Sequence, residues 1–248
     1  MLDPIQITFV LCGALVAGFT TGFAGFGTGL VASGLWFHAL PAHFVPPLVV
    51  LSSVGAHAVG LMSVRTPFAW RQAAPFLVGG VLCVPLGAAT LAVVSPDALR
   101  LSIGCFLVLY AIIQLTGLAR LRIGLWGGRP GDIAIGASGG FLGGFAGLSG
   151  PLPLIWLQLR GGPVHAQRST YQPYNMVIMA LAVVGMAVAG QIGWGVLAVA
   201  ALCLPATILG AWIGSKAYSV ASDAMFRRVV LALLLISGLV LVVQTIAG

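Results

Sequence analysis

Eight long apolar stretches follow one another along this sequence, and hardly a charge falls inside any of them. They run at approximately 5–38, 45–63, 72–94, 98–118, 132–158, 171–190, 195–215 and 224–247. Most approach or exceed the roughly 20 residues with which a helix crosses a hydrocarbon core. None alternates polar and apolar residues as a barrel strand would, so helices are expected throughout. Composition agrees: 60% of the residues are hydrophobic and 6% charged, whereas a soluble domain carries about 25% charged residues. Four carboxylates, all aspartate, cannot solvate the surface of a globule this size. The chain is therefore an integral membrane protein whose first partner is the lipid bilayer. A soluble enzyme and a nucleic-acid binder are excluded.

Local signals punctuate the stretches. Ser95-Pro96-Asp97 and Ser222-Asp223 offer side-chain oxygens to cap the free N–H groups of a helix start. Cys12, Cys83, Cys105 and Cys203 lie inside apolar runs without metal-ligand spacing and read as small packing residues. Met1-Leu2-Asp3-Pro4 lacks the basic start of a secretory signal. Gly25-Phe26-Gly27-Thr28-Gly29 is followed by neither a dinucleotide fingerprint nor a phosphate-loop lysine, so nucleotide binding is rejected and no cofactor is expected.

The chain repeats itself. Gly18-Phe19-Thr20-Thr21-Gly22-Phe23-Ala24-Gly25 matches Gly140-Phe141-Leu142-Gly143-Gly144-Phe145-Ala146-Gly147 at six of eight positions, at an offset of 122. The same offset aligns Pro41-Ala42-His43 with Pro163-Val164-His165. Leu82-Cys83-Val84-Pro85 matches Leu202-Cys203-Leu204-Pro205 at 120, and Trp70 matches Trp194 at 124. Matches in register that include proline and histidine point to two halves, 1–120 and 132–248.

The first stretch of each half is unusual. Residues 5–38 would form a helix of about 50 Å, longer than a hydrocarbon core of roughly 30 Å. Gly22, Gly25, Gly27 and Gly29 interrupt it midway, as Gly143, Gly144, Gly147 and Gly150-Pro151 interrupt 132–158. Either each is a long tilted helix with a glycine packing face, or each is a re-entrant hairpin. Charge decides between them. With eight full crossings, the two sides hold five and six positive residues. With two hairpins, one side collects Arg65, Arg71, Arg120, Arg122, Arg129, Arg160, Arg168, Lys216, Arg227 and Arg228, and the other keeps Arg100 alone. Ten against one is what the positive-inside rule expects. The expected fold is all-α and polytopic, each half a hairpin plus three spans, with both termini outside. An odd number of crossings inverts the second half relative to the first, an architecture of secondary transporters.

The repeated Gly-Phe motif, the prolines Pro41 and Pro163 that follow it and the two-half layout resemble the sulfite exporter TauE/SafE family, from about Gly13 to Gln244. That resemblance implies transport of a small sulfur-containing or organic anion, of the sulfite, thiosulfate, sulfonate or sulfoacetate class, across a bacterial inner membrane. It implies a transporter and not an enzyme.

The residues offer such a substrate a place. Helices that begin just after the tip glycines, near Thr28 and Gly150, point free N–H groups and a partial positive charge toward the midplane. Gly25, Gly27 and Gly147 shape the tips, and Thr20, Thr21, Thr28 and Ser149 add hydroxyls. Ser53 and His57 share a helix face by their spacing, and Asn175 stands at the position equivalent to Ser53. Polar groups within a span default to a functional reading. Tyr171 and Tyr174 are either site residues or interfacial aromatics. His43 and His165 belong near the water interfaces, and Arg168 serves either to recruit an anion or as a loop charge.

One rival chemistry exists. Gly147-Leu148-Ser149-Gly150 and Ala56-His57-Ala58-Val59-Gly60 resemble the serine and histidine motifs of rhomboid intramembrane proteases, in which a serine nucleophile works with a histidine base. The resemblance requires serine before histidine, whereas His57 precedes Ser149. Asp3, Asp97, Asp132 and Asp223 fall at segment ends, so no carboxylate relay is expected at mid-depth and His57 is the ionisable side chain expected well inside a span.

Overall fold

The computed structural model describes residues 3–62, 68–124, 126–217 and 223–247. Of the residues named above, Met1, Leu2, Arg65 and Ser222 lie outside these ranges. The described chain is all-helical. The first half holds α1 (Pro4–Ala24), α2 (Thr28–Trp36), α3 (Val45–Met62), α4 (Trp70–Val93) and α5 (Pro96–Leu115). The second holds α6 (Gly128–Ala146), α7 (Pro151–Arg160), α8 (Val164–Val188), α9 (Trp194–Ala217) and α10 (Asp223–Ala247). Among the described residues, seven helices are long and apolar enough to cross a membrane: α1, α3, α4, α5, α8, α9 and α10.

Both glycine clusters break their stretch into a hairpin. In the first, Thr21 and Thr28 face each other across the bend, hydroxyl to hydroxyl at 2.5 Å. Farther down, Trp36 Nε1 donates to the Val10 carbonyl at 3.0 Å. Residue numbers that rise on α2 as they fall on α1 mean that α2 runs back along α1. In the second, Trp156 Nε1 donates to Asp132 Oδ1 at 2.8 Å, and Arg160 donates to the Gly128 carbonyl at 2.6 Å. The arms are unequal. At 21 residues α1 spans about 31 Å, while α2 and α7, with 9 and 10 residues, reach only about 14–15 Å.

Gly25 and Gly147, equivalent in the repeat, make the bends. Each caps its long arm in the left-handed conformation, with φ of 81° and 71°, a region closed to most side chains. Each donates its N–H to a carbonyl one turn back, Thr21 and Gly143 respectively.

Other glycines serve packing. Along α1, Gly18 and Gly22 lie against the backbone of Thr207 and Ala211 of α9, and Gly210 and Gly214 lie against Leu15 and Phe19 in return. Gly136, Gly140 and Gly144 of α6 meet Phe76, Gly80 and Val84 of α4 in the same way. Small residues four apart let backbones touch, and such close packing is one source of helix attraction in lipid. Each half's hairpin therefore packs on the other half's second long helix, and in both pairs the helices run parallel. The repeat persists in detail. Phe19 and Phe23 stack at 5.9 Å and 12°, and so do Phe141 and Phe145. Trp70 and Trp194 begin α4 and α9, which carry Pro85 and Pro205 internally.

Helix α8 begins at Val164, seven residues ahead of the apolar stretch near 171. The polar run His165, Gln167, Arg168, Ser169 and Thr170 thus belongs to the helix. Pro163 sits at its N-cap position, and the later residues of the run are buried against neighbours instead of lipid. Ser95 caps α5, accepting from Ala98 N at 3.2 Å.

Candidate functional site

The two hairpin tips meet. Gly29, at the start of α2, lies so close to the Gly147 carbonyl that a Cβ would overlap it, and Gly150 lies beside Phe26 and the Asn175 amide. Between them is a small cavity of about 20 Å³, bordered by Gly27, Thr28, Ser53, His57, Ser149 and Asn175 among others. Gly147 and Gly150 border it too. Residues from α2, α3, α7 and α8 and both bends thus converge on a space with room for about one water.

Its polar wall is incompletely satisfied. Ser149 Oγ donates to Asn175 Oδ1 at 3.0 Å, which leaves Asn175 Nδ2 buried without a partner. His57 Nδ1 is likewise buried and unpartnered. Asn175 is wholly buried and His57 is 7% exposed. Buried polar groups without partners are costly and rare, so donors and acceptors held toward this cavity suit a ligand or a water.

The tips are not equal as anion cradles. At the first, Thr28 N is taken by Thr21 Oγ1 at 2.7 Å, and Val31 N begins the helical ladder on the Gly27 carbonyl. The N–H groups of Gly29 and Leu30 lie between them at the positive end of α2. At the second, Pro151 and Pro153 have no N–H to give. Leu152 is then the one residue left with a free helical donor before Leu154 N bonds the Gly150 carbonyl. The first tip therefore presents backbone donors and the second presents mainly side chains, Ser149 and its partner Asn175.

Other candidate residues do different work. Thr21 holds the first hairpin closed. Thr20 bonds back to the Val16 carbonyl at 2.8 Å and borders a second, larger cavity. Tyr171 borders that larger cavity too, and its hydroxyl donates to the Ala24 carbonyl at 2.6 Å. Beside it Arg168, 8% exposed, donates to the carbonyls of Gly22 at 3.0 Å and Phe23 at 3.3 Å. A guanidinium and a phenol thus satisfy the orphan carbonyls at the C-terminus of α1, where the helix carries partial negative charge. Tyr174 donates to the Gly136 carbonyl at 2.8 Å. Spacing could have flagged Arg168, because Arg168, Tyr171, Gln172 and Asn175 recur every three or four residues and so share one face of α8. Reading 164–170 as a loop hid this.

Asp132 is buried. It pairs with Arg160 at 2.8 Å and accepts from Trp156, at the open end of the second hairpin. His43 borders a third cavity, of about 350 Å³, with Gln191 and Gly193. Among the described residues, no hydrogen bond joins Ser149 to His57, although both border the tip cavity, so the nucleophile–base pair of a serine protease is not assembled.

Comparison with curated proteins and with solved structures gave no match. A family model did match, over residues 10–241. Broken hairpins, apolar spans and that match together place the chain in the sulfite exporter TauE/SafE family, as a multi-pass membrane transporter and not an enzyme.

Proposed function

We propose that this protein carries a small sulfur-containing or organic anion, of the sulfite, thiosulfate, sulfonate or sulfoacetate class, across a bacterial inner membrane. The substrate is held between the two hairpin tips, and the halves are inverted repeats that rock about that point. The observation that carries this reading is the convergence of both tips on a small cavity bordered by polar side chains, with unpartnered His57 and Asn175 atoms. Donors at the start of α2 and the amide of Asn175 bind an anion without a buried lysine or arginine, which limits the cost of a desolvated charge. The cavity measures about 20 Å³, room for about one water, so the tips must part to hold a substrate.

Counterflow of a labelled oxyanion panel in proteoliposomes tests this. Uptake of at least one sulfur oxyanion or short organic anion is expected, driven by the anion's own gradient and the membrane potential. Accumulation driven by a pH gradient at zero potential, and lost in His57→Gln, would instead assign coupling to His57. No uptake of any member of the panel would overturn the proposal.

A further inference from the structure

A wider space than the one between the tips lies beside them. A cavity of about 470 Å³ is bounded by the first hairpin, α5, α7, the start of α8 and α10, within the size range of small-molecule sites. Two guanidiniums border it, Arg122 and Arg168, and none of the described carboxylates does. Asp132 is paired with Arg160, and Asp97 lies 3.9 Å from Arg100. Arg168 is directed at the carbonyl end of α1, so the exposed Arg122 is the charge that an entering molecule meets. Gln114, Gln158 and Gln167 bring primary amides from three helices to the same space, Gln114 donating to Gln158 at 3.0 Å. The remaining wall includes Phe23, Phe26, Leu30, Leu231 and Leu234. A bare oxyanion has no use for such a wall, because apolar surface gains only from covering carbon.

We propose that this chamber binds an organic mono-anion with a short apolar chain, its acid group at Arg122 and its chain against Leu30, Leu231 and Leu234. It is the station from which substrate reaches the tips, and this rests on the anion-transport reading above. Phe26, Gly27 and Leu30 border both cavities, so the Phe26 ring, set edge-on to Tyr171 at 6.1 Å, stands at the passage between them.

Titration calorimetry on the full-length protein in nanodiscs tests the chamber with methane-, propane- and pentanesulfonate, the matching carboxylates, and sulfite. Each added methylene should tighten binding about fourfold, the factor for burying one CH₂. Arg122→Gln should weaken every member about tenfold, as for loss of a charged hydrogen bond. Leu231→Trp, which fills the chamber, should remove the chain-length dependence, with circular dichroism confirming that the variant folds. Equal affinity across the series, sulfite binding tightest, or an unchanged series in Leu231→Trp would overturn the chamber. If sulfite counterflow persists beside a flat series, only the chamber falls; if no anion is transported, the transport reading falls with it. A lipid seen by native mass spectrometry in the wild type and lost in Leu231→Trp, with no anion bound, would also overturn the proposal.

Discussion

Ser149 donates its hydroxyl to Asn175 Oδ1 across 3.0 Å, tying the second hairpin tip to the middle of α8. That one bond orients the Asn175 amide, so that Nδ2 is left as a buried donor at the tip cavity. It also commits the serine to asparagine instead of histidine. The second tip, short of backbone donors because of Pro151 and Pro153, depends on this pair.

Asn175→Ala should therefore cut anion transport about tenfold through a raised KM, the scale for losing a hydrogen bond to a charged group. Ser149→Ala should have a smaller effect, since it removes only the orienting bond. Proteoliposome kinetics of both variants check this, and an unchanged KM in each would remove Asn175 from the site.

Gly29→Ala should abolish uptake without unfolding the protein. A Cβ at Gly29 meets the Gly147 carbonyl oxygen where the tips touch, while its backbone is not among the positive-φ positions. Gly185→Ala is the control, because its Cβ meets only the Ala88 side chain at 3.4 Å and Val84 at 3.9 Å. Full activity in Gly29→Ala would show that the tips tolerate separation.

Asp132→Asn should lower stability by about 3 kcal/mol, because Arg160 would keep a half-buried charge without its counter-ion. The amide oxygen can still accept from Trp156, so the change isolates the ion pair. Asp132→Asn with Arg160→Gln should cost less than the sum of the two single changes, since the pair interacts directly. Denaturation of all three variants in detergent checks this; strict additivity would mean that the pair is uncoupled.

Topology is tested by tags. Both termini and the Pro41–Pro46 stretch should report from outside, and a tag at Gly128 from the cytoplasm. A tag at Pro41–Pro46 on the side opposite the N-terminus would overturn the re-entrant topology and break the inverted-repeat reading.

The membrane class, the helices and the glycine positions of both bends are legible in the sequence. They follow from local properties: apolar length against bilayer thickness, and a left-handed bend that only glycine enters freely. The same local logic brought Ser53, His57, Ser149 and Asn175 into view, because a polar side chain inside an apolar helix needs a reason to be there. What the residues do was decided by contacts between distant parts of the chain. Arg168 and Tyr171 meet the carbonyls of residues 22–24 across some 145 positions, and no local pattern announces that a helix end on α1 will need a cation from α8. Glycines of one composition divide into bends at Gly25 and Gly147 and packing faces at Gly18, Gly22, Gly140 and Gly144, according to which backbone lies opposite. The size of a cavity is a difference between packed surfaces. The narrow space between the tips and the wide chamber beside them therefore came only from the tertiary structure.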